Sequence, residues 1–279
     1  MHKTLFGKEP AALVLEEVKR RIADLGRPPR LAIVQMGENP SSELYVGKKI
    51  KKANEIGIEA ELFKLSEQTS EAKLLELVEK LNNDSSIDGF IIQLPLPKHI
   101  DSTKIIESIS PEKDVDGFTS TNIGKLVLGL SEDSLLLPAT PSGIIQLLEF
   151  YKIQLEGKRA VVVGRSNIVG KPISAMLLNR NATVTICHSK TKNIREHTLD
   201  ADIVIAAVGK PGLITADMIK QGACVIDVGT TKVGDKTKGD ADYDSILKKA
   251  NCTPVPGGVG PMTVAMLLMN TLKAAEKRG

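Results

Sequence analysis

Short apolar runs alternating with amphipathic helical patterns constrain this chain more than any other feature. "LAIVQMG", "AELFKL" and "IDGFIIQLPLP" read as strands in the first half. Between and around them lie the helical patterns "AALVLEEVKRRIADLG", closed by Gly26 and the "RPPR" breaker, and "SEAKLLELVEKLNND". "SGIIQLLEFYKI" then leads into a second series, with strands "RAVVVG", "ATVTICH", "DIVIAAVG" and "CVIDVGT". Continuous apolar strands separated by helices belong to parallel sheets covered on both faces. The expected class is α/β. At 279 residues the chain is long enough for about two domains. The pattern loosens around residues 110–140, and the junction is placed there. The chain closes on a helix, "MTVAMLLMNTLKAAEKRG".

Composition narrows the function. The chain has no Trp and only 3% aromatic residues, so base-stacking platforms for single-stranded nucleic acid are not expected. A net charge of +3 is too small for a phosphate-tracking surface. Cys187, Cys224 and Cys252 are widely spaced in apolar stretches and read as buried free thiols of a reducing compartment. The four histidines do not cluster with cysteines or carboxylates at ligand spacing, so no metal site is expected. The amino terminus lacks the apolar core of a signal peptide, and no run approaches the ~20 residues of a membrane span. A cytoplasmic protein is expected.

The stretch "LYVGKKIKKANEIG" (44–57) packs four lysines into five positions. Stepping about 100° per residue, Lys48, Lys51, Lys52 and Glu55 share a polar arc. Tyr45, Val46, Ile50, Ala53, Ile56 and Gly57 fall on the opposite arc. Lys49 lies inside that apolar arc, one turn after Tyr45. A buried ammonium is costly unless paired or neutral, so Lys49 stands apart from its three neighbours. Ser41 or Ser42 is the expected N-cap of this helix.

The strand–turn–helix "RAVVVGRSNIVGKPISAMLL" fits a dinucleotide-binding turn, with Gly164 and Gly170 and with Ser166 where a second glycine is usual. A tight strand-to-helix connection would use the same glycines. A chain selecting NAD usually ends its second strand in an acid. This one ends "TICHSK", placing His188, Ser189 and Lys190 there, with Arg165 on the first turn. A guanidinium fork suits a phosphate oxygen pair, so NADP is the expected cofactor.

Gln93 ends an apolar strand, where a side chain faces the crevice in which parallel sheets bind ligands. Asp114 and Asp116 precede Gly117. They lack the further oxygen ligands of a calcium loop, which leaves an Asp-stabilised turn or a carboxylate that pairs with heterocycle N–H groups. "TPVPGGVGPMTVAMLL" has three glycines in four positions and opens a helix at Pro261, so backbone there can approach a ligand closely.

Tyr45 with Lys49, "QLPLP", "DVDG", "TPSG", "GRSNIVGKP", "AVGKPG" and "PVPGGVGPMT" together resemble the bifunctional methylenetetrahydrofolate dehydrogenase/cyclohydrolase family, in order and over nearly the whole chain. The resemblance implies a catalytic, folate-binding domain at 1–137, completed by the C-terminal helix 262–279, and a Rossmann-type NADP domain at 138–261. It implies NADP-dependent oxidation of 5,10-methylenetetrahydrofolate to the methenyl form, then hydrolysis to 10-formyltetrahydrofolate, in the one-carbon supply of purine biosynthesis. Tyr45, Lys49, Gln93 and Asp116 would be catalytic. Tyr45, Gln93, Leu94, Asp116, Pro256, Gly257 and Gly260 would bind folate. Gly164, Arg165, Ser166, Ile168, Gly170, His188, Ser189, Val208, Gly209 and Thr230 would bind NADP. A homodimer is implied, with no nucleic acid or membrane partner. The match breaks at Thr230–Thr231, where the family usually carries Ile-Asn, and this bears on coenzyme affinity rather than chemistry. Three other readings use part of the pattern. A single-function dehydrogenase would not need Lys49, and a hydroxy-acid dehydrogenase would need a further acid/base pair that does not stand out. A non-catalytic NADP- or folate-binding regulator would not need a chemically competent residue at every candidate position.

Overall fold

The structure is a computed structural model that describes residues 2–130 and 135–278, apart from the side chains of residues 40 and 41. Its Cα packing separates two units: Leu13–Ala139 with Val264–Gly279, and Met1–Ala12 with Thr140–Thr263. Each is α/β with parallel strands, as the alternating pattern requires.

The first series runs α1 (Lys8–Leu25), β1 (Arg30–Met36), α2 (Pro40–Glu55), β2 (Glu59–Leu65), α3 (Glu71–Asn83), β3 (Gly89–Ile92), α4 (Ser102–Glu107) and α5 (Ser120–Val127). Its parallel sheet has the order β2-β1-β3. The pleat divides the apolar strand residues between two cores. Leu31, Ile33 and Ile91 pack with Val18 of α1 and with Val46, Ala53 and Ile56 around α2. Ala32, Val34, Phe90 and Ile92 pack with Leu74, Val78 and Leu81 of α3 and Ile105 of α4. Because both faces are covered, β1 and β3 have no polar alternation to display.

The second series runs α6 (Ala139–Phe150), β4 (Arg159–Val163), α7 (Gly170–Asn179), β5 (Thr183–Cys187), α8 (Ile194–Thr198), β6 (Ile203–Ala206) and β7 (Cys224–Asp227). A hairpin of β8 (Thr231–Val233) and β9 (Lys236–Lys238) follows, then α9 (Tyr243–Ile246), β10 (Asn251–Cys252) and α10 (Val259–Glu276). The sheet order is β10-β7-β6-β4-β5, parallel throughout. β5 and β6 lie on opposite sides of β4, so the chain reverses direction across the sheet at β4/β6.

Two local expectations change. The helix holding Lys49 is capped by Asn39 rather than by Ser42: the Asn39 side-chain oxygen accepts from the Ser42 N–H at 3.2 Å and its carbonyl from Glu43 at 2.9 Å. Helix α2 starts at Pro40, a residue suited to the first helical position, which leaves the capping position to Asn39. The Ser41 side chain lies outside the described residues. The expected division at 137/138 also keeps the first residues with the folate unit. In the structure the Leu5 N–H donates to the Cys252 carbonyl and Cys252 to that of Lys3, so this segment extends the edge at β10.

All three cysteines are free and buried, and burial pushes the Cys224 thiol up to about 12. No helix among the described residues is long and apolar enough to cross a membrane.

Candidate active site

In the first unit the expected residues collect at the carboxyl end of the sheet. The Gln93 N–H donates to the Val34 carbonyl at 2.8 Å, which carries the ladder one residue past β3 and fixes Gln93 beside β1. Helix α2, which follows β1, brings Lys49 to the same end. The ammonium of Lys49 donates to Gln93 Oε1 at 3.0 Å, and Gln93 Nε2 donates to the Leu94 carbonyl at 2.9 Å. The Leu94–Pro95 bond is cis. Lys49 is 9% exposed, as its place on the apolar arc predicts, and burial holds its pKa below the ordinary lysine range. Asp116 opposes that shift through space.

Lys51 is exposed and Lys52 pairs with Glu55 at 2.5 Å, so both belong to the solvated face. Tyr45 does not bury with the apolar arc. It stands 40% exposed, and Lys48 Nζ sits 5.8 Å from its ring centroid.

The two aspartates of "DVDG" divide the work that the sequence left open. Asp114 makes the turn: its carboxylate accepts from the Gly117 N–H (2.9 Å), the Thr119 N–H (2.8 Å) and Asn122 Nδ2 (3.0 Å). Asp116 keeps some exposure, yet burial pushes its carboxyl up to about 6, against the pull of Lys49.

In the second unit the turn after β4 is built as a close strand-to-helix connection. Gly164 has φ +133°, and a Cβ there would lie 2.2 Å from the Ala207 carbonyl oxygen. A Cβ on Gly170 would lie 2.3 Å from the Gly164 oxygen. Ser166 has a role not foreseen from its spacing. Its hydroxyl accepts from the Val169 and Gly170 N–H groups at 3.1 and 3.3 Å, and its carbonyl from Lys171 at 3.0 Å. Ser166 therefore satisfies N–H groups at the start of α7 from the turn that precedes it.

Arg165 lies next to "HSK" because β4 and β5 are in register, Val163 opposite Cys187, with the Gly164 N–H donating to the Cys187 carbonyl at 2.9 Å. The His188 turn is self-supporting: its Nδ1 accepts from the Lys190 N–H at 3.1 Å, and its own N–H donates to Thr191 Oγ1 at 2.9 Å. Arg165, Ser189 and Lys190 are exposed, and Ile168 beside them is 37% exposed. This donor set, without a carboxylate in the "HSK" turn, fits a 2′-phosphate. Val208 and Gly209 follow β6, and Thr231 Oγ1 stands 4.0 Å from where a Gly209 Cβ would be. The unexpected Thr230–Thr231 pair is thus next to the same loop.

Pro256 follows a second cis bond, and Gly257, at φ +109°, accepts from the Gly7 N–H at 2.9 Å. Gly260 has open space around the position of a Cβ. Among the described residues, no group of three His, Cys, Asp or Glu side chains is placed to hold a metal ion.

The model of the tetrahydrofolate dehydrogenase/cyclohydrolase catalytic domain matches residues 5–116, and that of the NAD(P)-binding domain of the same family matches 138–279. A bifunctional protein FolD of Moorella thermoacetica is 54% identical over 278 residues, covering 98% of each chain. The crystal structure of the bifunctional enzyme FolD, methylenetetrahydrofolate dehydrogenase/cyclohydrolase, from Campylobacter jejuni superposes with a TM-score of 0.97 at 46% identity and full coverage of both chains. That of the Trypanosoma brucei methylenetetrahydrofolate dehydrogenase-cyclohydrolase, complexed with NADP and an inhibitor, gives 0.95 at 37% identity, covering 99% of this chain and 98% of that one.

Proposed function

The chain belongs to the tetrahydrofolate dehydrogenase/cyclohydrolase family, and from that premise we propose how its residues divide two reactions on one-carbon tetrahydrofolate. It is an NADP-dependent 5,10-methylenetetrahydrofolate dehydrogenase and a 5,10-methenyltetrahydrofolate cyclohydrolase. The observation that carries the assignment of roles is Lys49, nine-tenths buried and held 3.0 Å from Gln93.

When bound, NADP accepts a hydride from the methylene carbon. The residues need only position the folate for that step, since the methenyl cation is stabilised by its flanking nitrogens. Asp116 anchors the pteridine by accepting its N–H groups, Tyr45 offers a ring face, and the backbone at Leu94 lines the folate. Hydrolysis has a further demand. A water adding to the amidinium carbon must lose both its protons to become the formyl oxygen: one ends on the departing ring nitrogen as its bond to carbon breaks, and the other is released to solvent. Burial favours the neutral amine of Lys49, which can take the first proton and return it. Gln93 orients that amine through Oε1 while Leu94 holds the amide. Appearance of NADPH from methylenetetrahydrofolate, followed by loss of the methenyl absorbance, tests both activities in one cuvette. NADPH formation without methenyl hydrolysis would leave a single-function dehydrogenase.

Arg165 with His188 and Ser189 selects the 2′-phosphate. Arg165→Ala is expected to raise the KM for NADP tenfold to a hundredfold, the value of one charge-assisted contact of roughly 1.5–3 kcal/mol, and to leave that for NAD nearly unchanged. Equal use of both cofactors by the unaltered protein would sink this assignment.

The buried free thiols support a reducing, cytoplasmic location. The outer strand β5 supports a homodimer: Thr183, Thr185 and Ile186 are exposed on a strand that, among the described residues, pairs with β4 alone. Strand β5 pairing with its copy across a twofold axis would hide its other edge. Ile186→Lys should shift the sedimentation profile from dimer to monomer. An unshifted dimer would place the interface elsewhere.

A further inference from the structure

Two buried carboxylates of the nucleotide-binding unit take no part in the chemistry above. Asp240 is 0% exposed, and it gathers three successive backbone donors. Its Oδ2 accepts from Val208 at 2.6 Å and Gly209 at 3.0 Å, and its Oδ1 from Lys210 at 2.6 Å. Asp227, the last residue of β7, holds Asp240 in turn. Its Oδ1 accepts from the N–H groups of Asp240 (2.8 Å) and Gly229 (3.0 Å), and its Oδ2 from that of Ala241 (2.9 Å). The Asp227 N–H donates to Thr253 Oγ1 at 2.7 Å.

The arrangement leaves no slack. A Cβ on Gly229 would lie 2.4 Å from the Asp240 carboxylate, and one on Gly239 would lie 1.9 Å from Asp227 Oδ2. Oriented backbone N–H groups meet both carboxylates, while burial and the neighbouring Asp240 still push the Asp227 carboxyl up to about 6. The loops they join are those leaving the carboxyl ends of β6, β7 and β10. Two of these carry Val208, Gly209 and Thr230, and the third begins at Thr253, just before Pro256 and Gly257.

We propose that Asp240, seated by Asp227, is a positioning residue for the dehydrogenase step, fixing the 208–210 loop in its cofactor-receiving shape before NADP arrives. This rests on the assignment of Val208 and Gly209 as cofactor contacts. The carboxylate matters because all three donors of the loop point at one anion. An amide of the same size must turn its NH₂ toward at least one of them, so the loop opens there.

The test uses the full-length enzyme. Asp240→Asn should lower dehydrogenase kcat/KM about tenfold to a hundredfold, mostly through the KM for NADP. Hydrolysis of methenyltetrahydrofolate, assayed without NADP, should stay within about twofold. Asp227→Asn, one step removed, should show the same split at smaller size. Equal loss of both activities would make the pair a scaffold only, and no loss would remove it from the mechanism. Hydrogen exchange on the unaltered protein gives a reading that does not depend on any variant folding. Amides 208–210 should be protected before NADP is added, and protection that appears only with NADP would overturn the proposal. An unaltered protein that makes no NADPH from methylenetetrahydrofolate would instead refute the assigned function.

Discussion

Replacing Lys49 by Met is expected to slow methenyltetrahydrofolate hydrolysis by roughly 10²–10⁴ while NADPH formation persists at a substantial fraction. The range is that of a lost general base. Met keeps the length and apolar stem of a side chain that is already nine-tenths buried, so α2 keeps its packing. The titrating amine and the bond to Gln93 Oε1 both go. Hydride removal uses no proton acceptor and should feel only a small change in folate position. The pH profile gives a second readout. The amine works when neutral, so hydrolysis should rise with pH on a limb below the ordinary lysine range, in the direction burial moves this group. That limb should vanish in Lys49→Met. Lys51→Gln and Lys52→Gln should leave both activities unchanged. Lys48→Gln should shift the folate KM a few-fold at most, because its cation meets the Tyr45 ring at an exposed site worth roughly 0.5–1 kcal/mol. Equal losses of the two activities in Lys49→Met would make this lysine a positioning group, and no loss would return it to the solvated face.

Lys49 was legible in the sequence because one cation on an apolar arc is an inconsistency that helical periodicity exposes. The strands were legible for a related reason: a parallel sheet covered on both faces leaves continuous apolar runs such as "LAIVQMG". Short elements were not. Helices α4, α8 and α9 and the β8–β9 hairpin carry too few residues for a period to repeat, and tertiary contacts decide them. The Asn39 cap was missed because two serines follow it, although Pro40 marks where the helix begins. Asp227 and Asp240 were invisible for a different reason. A carboxylate that gathers N–H groups from loops distant in sequence leaves no local pattern, and the glycines at 229 and 239 that make room for it look like ordinary turn residues. The division of labour between Asp114 and Asp116 likewise needed the turn itself, since either residue of "DVDG" could have closed it.

Asp116→Asn should abolish most of both activities and still make the empty protein more stable at neutral and alkaline pH. The loss follows from the proposed anchor. Two charge-assisted bonds to pteridine N–H groups contribute roughly 1.5–3 kcal/mol each, so each reaction should fall by about 10²–10⁴, the two together. The gain follows from the sign of the pKa shift. Burial raises the folded-state value from 3.8 to about 6, so the folded protein binds this proton more tightly than the unfolded chain does. That contribution is fully present below pH 4 and is lost as pH rises through 6. Above that, the ionised carboxylate costs the folded state about 3 kcal/mol at most. An amide carries no such charge, so Asp116→Asn should raise Tm at pH 8 and lose that advantage at pH 4. A bound folate analogue should reverse the order at pH 8, because only the carboxylate recovers its desolvation cost from the ligand. The same substitution removes the negative charge that holds Lys49 up, so any residual hydrolysis should show its pH limb shifted further down. A variant that loses one activity alone would move Asp116 from anchor to step-specific chemistry. One that is less stable than the unaltered protein at pH 8 would show that its carboxylate is satisfied within the empty fold, leaving no unmet charge for a pteridine to claim.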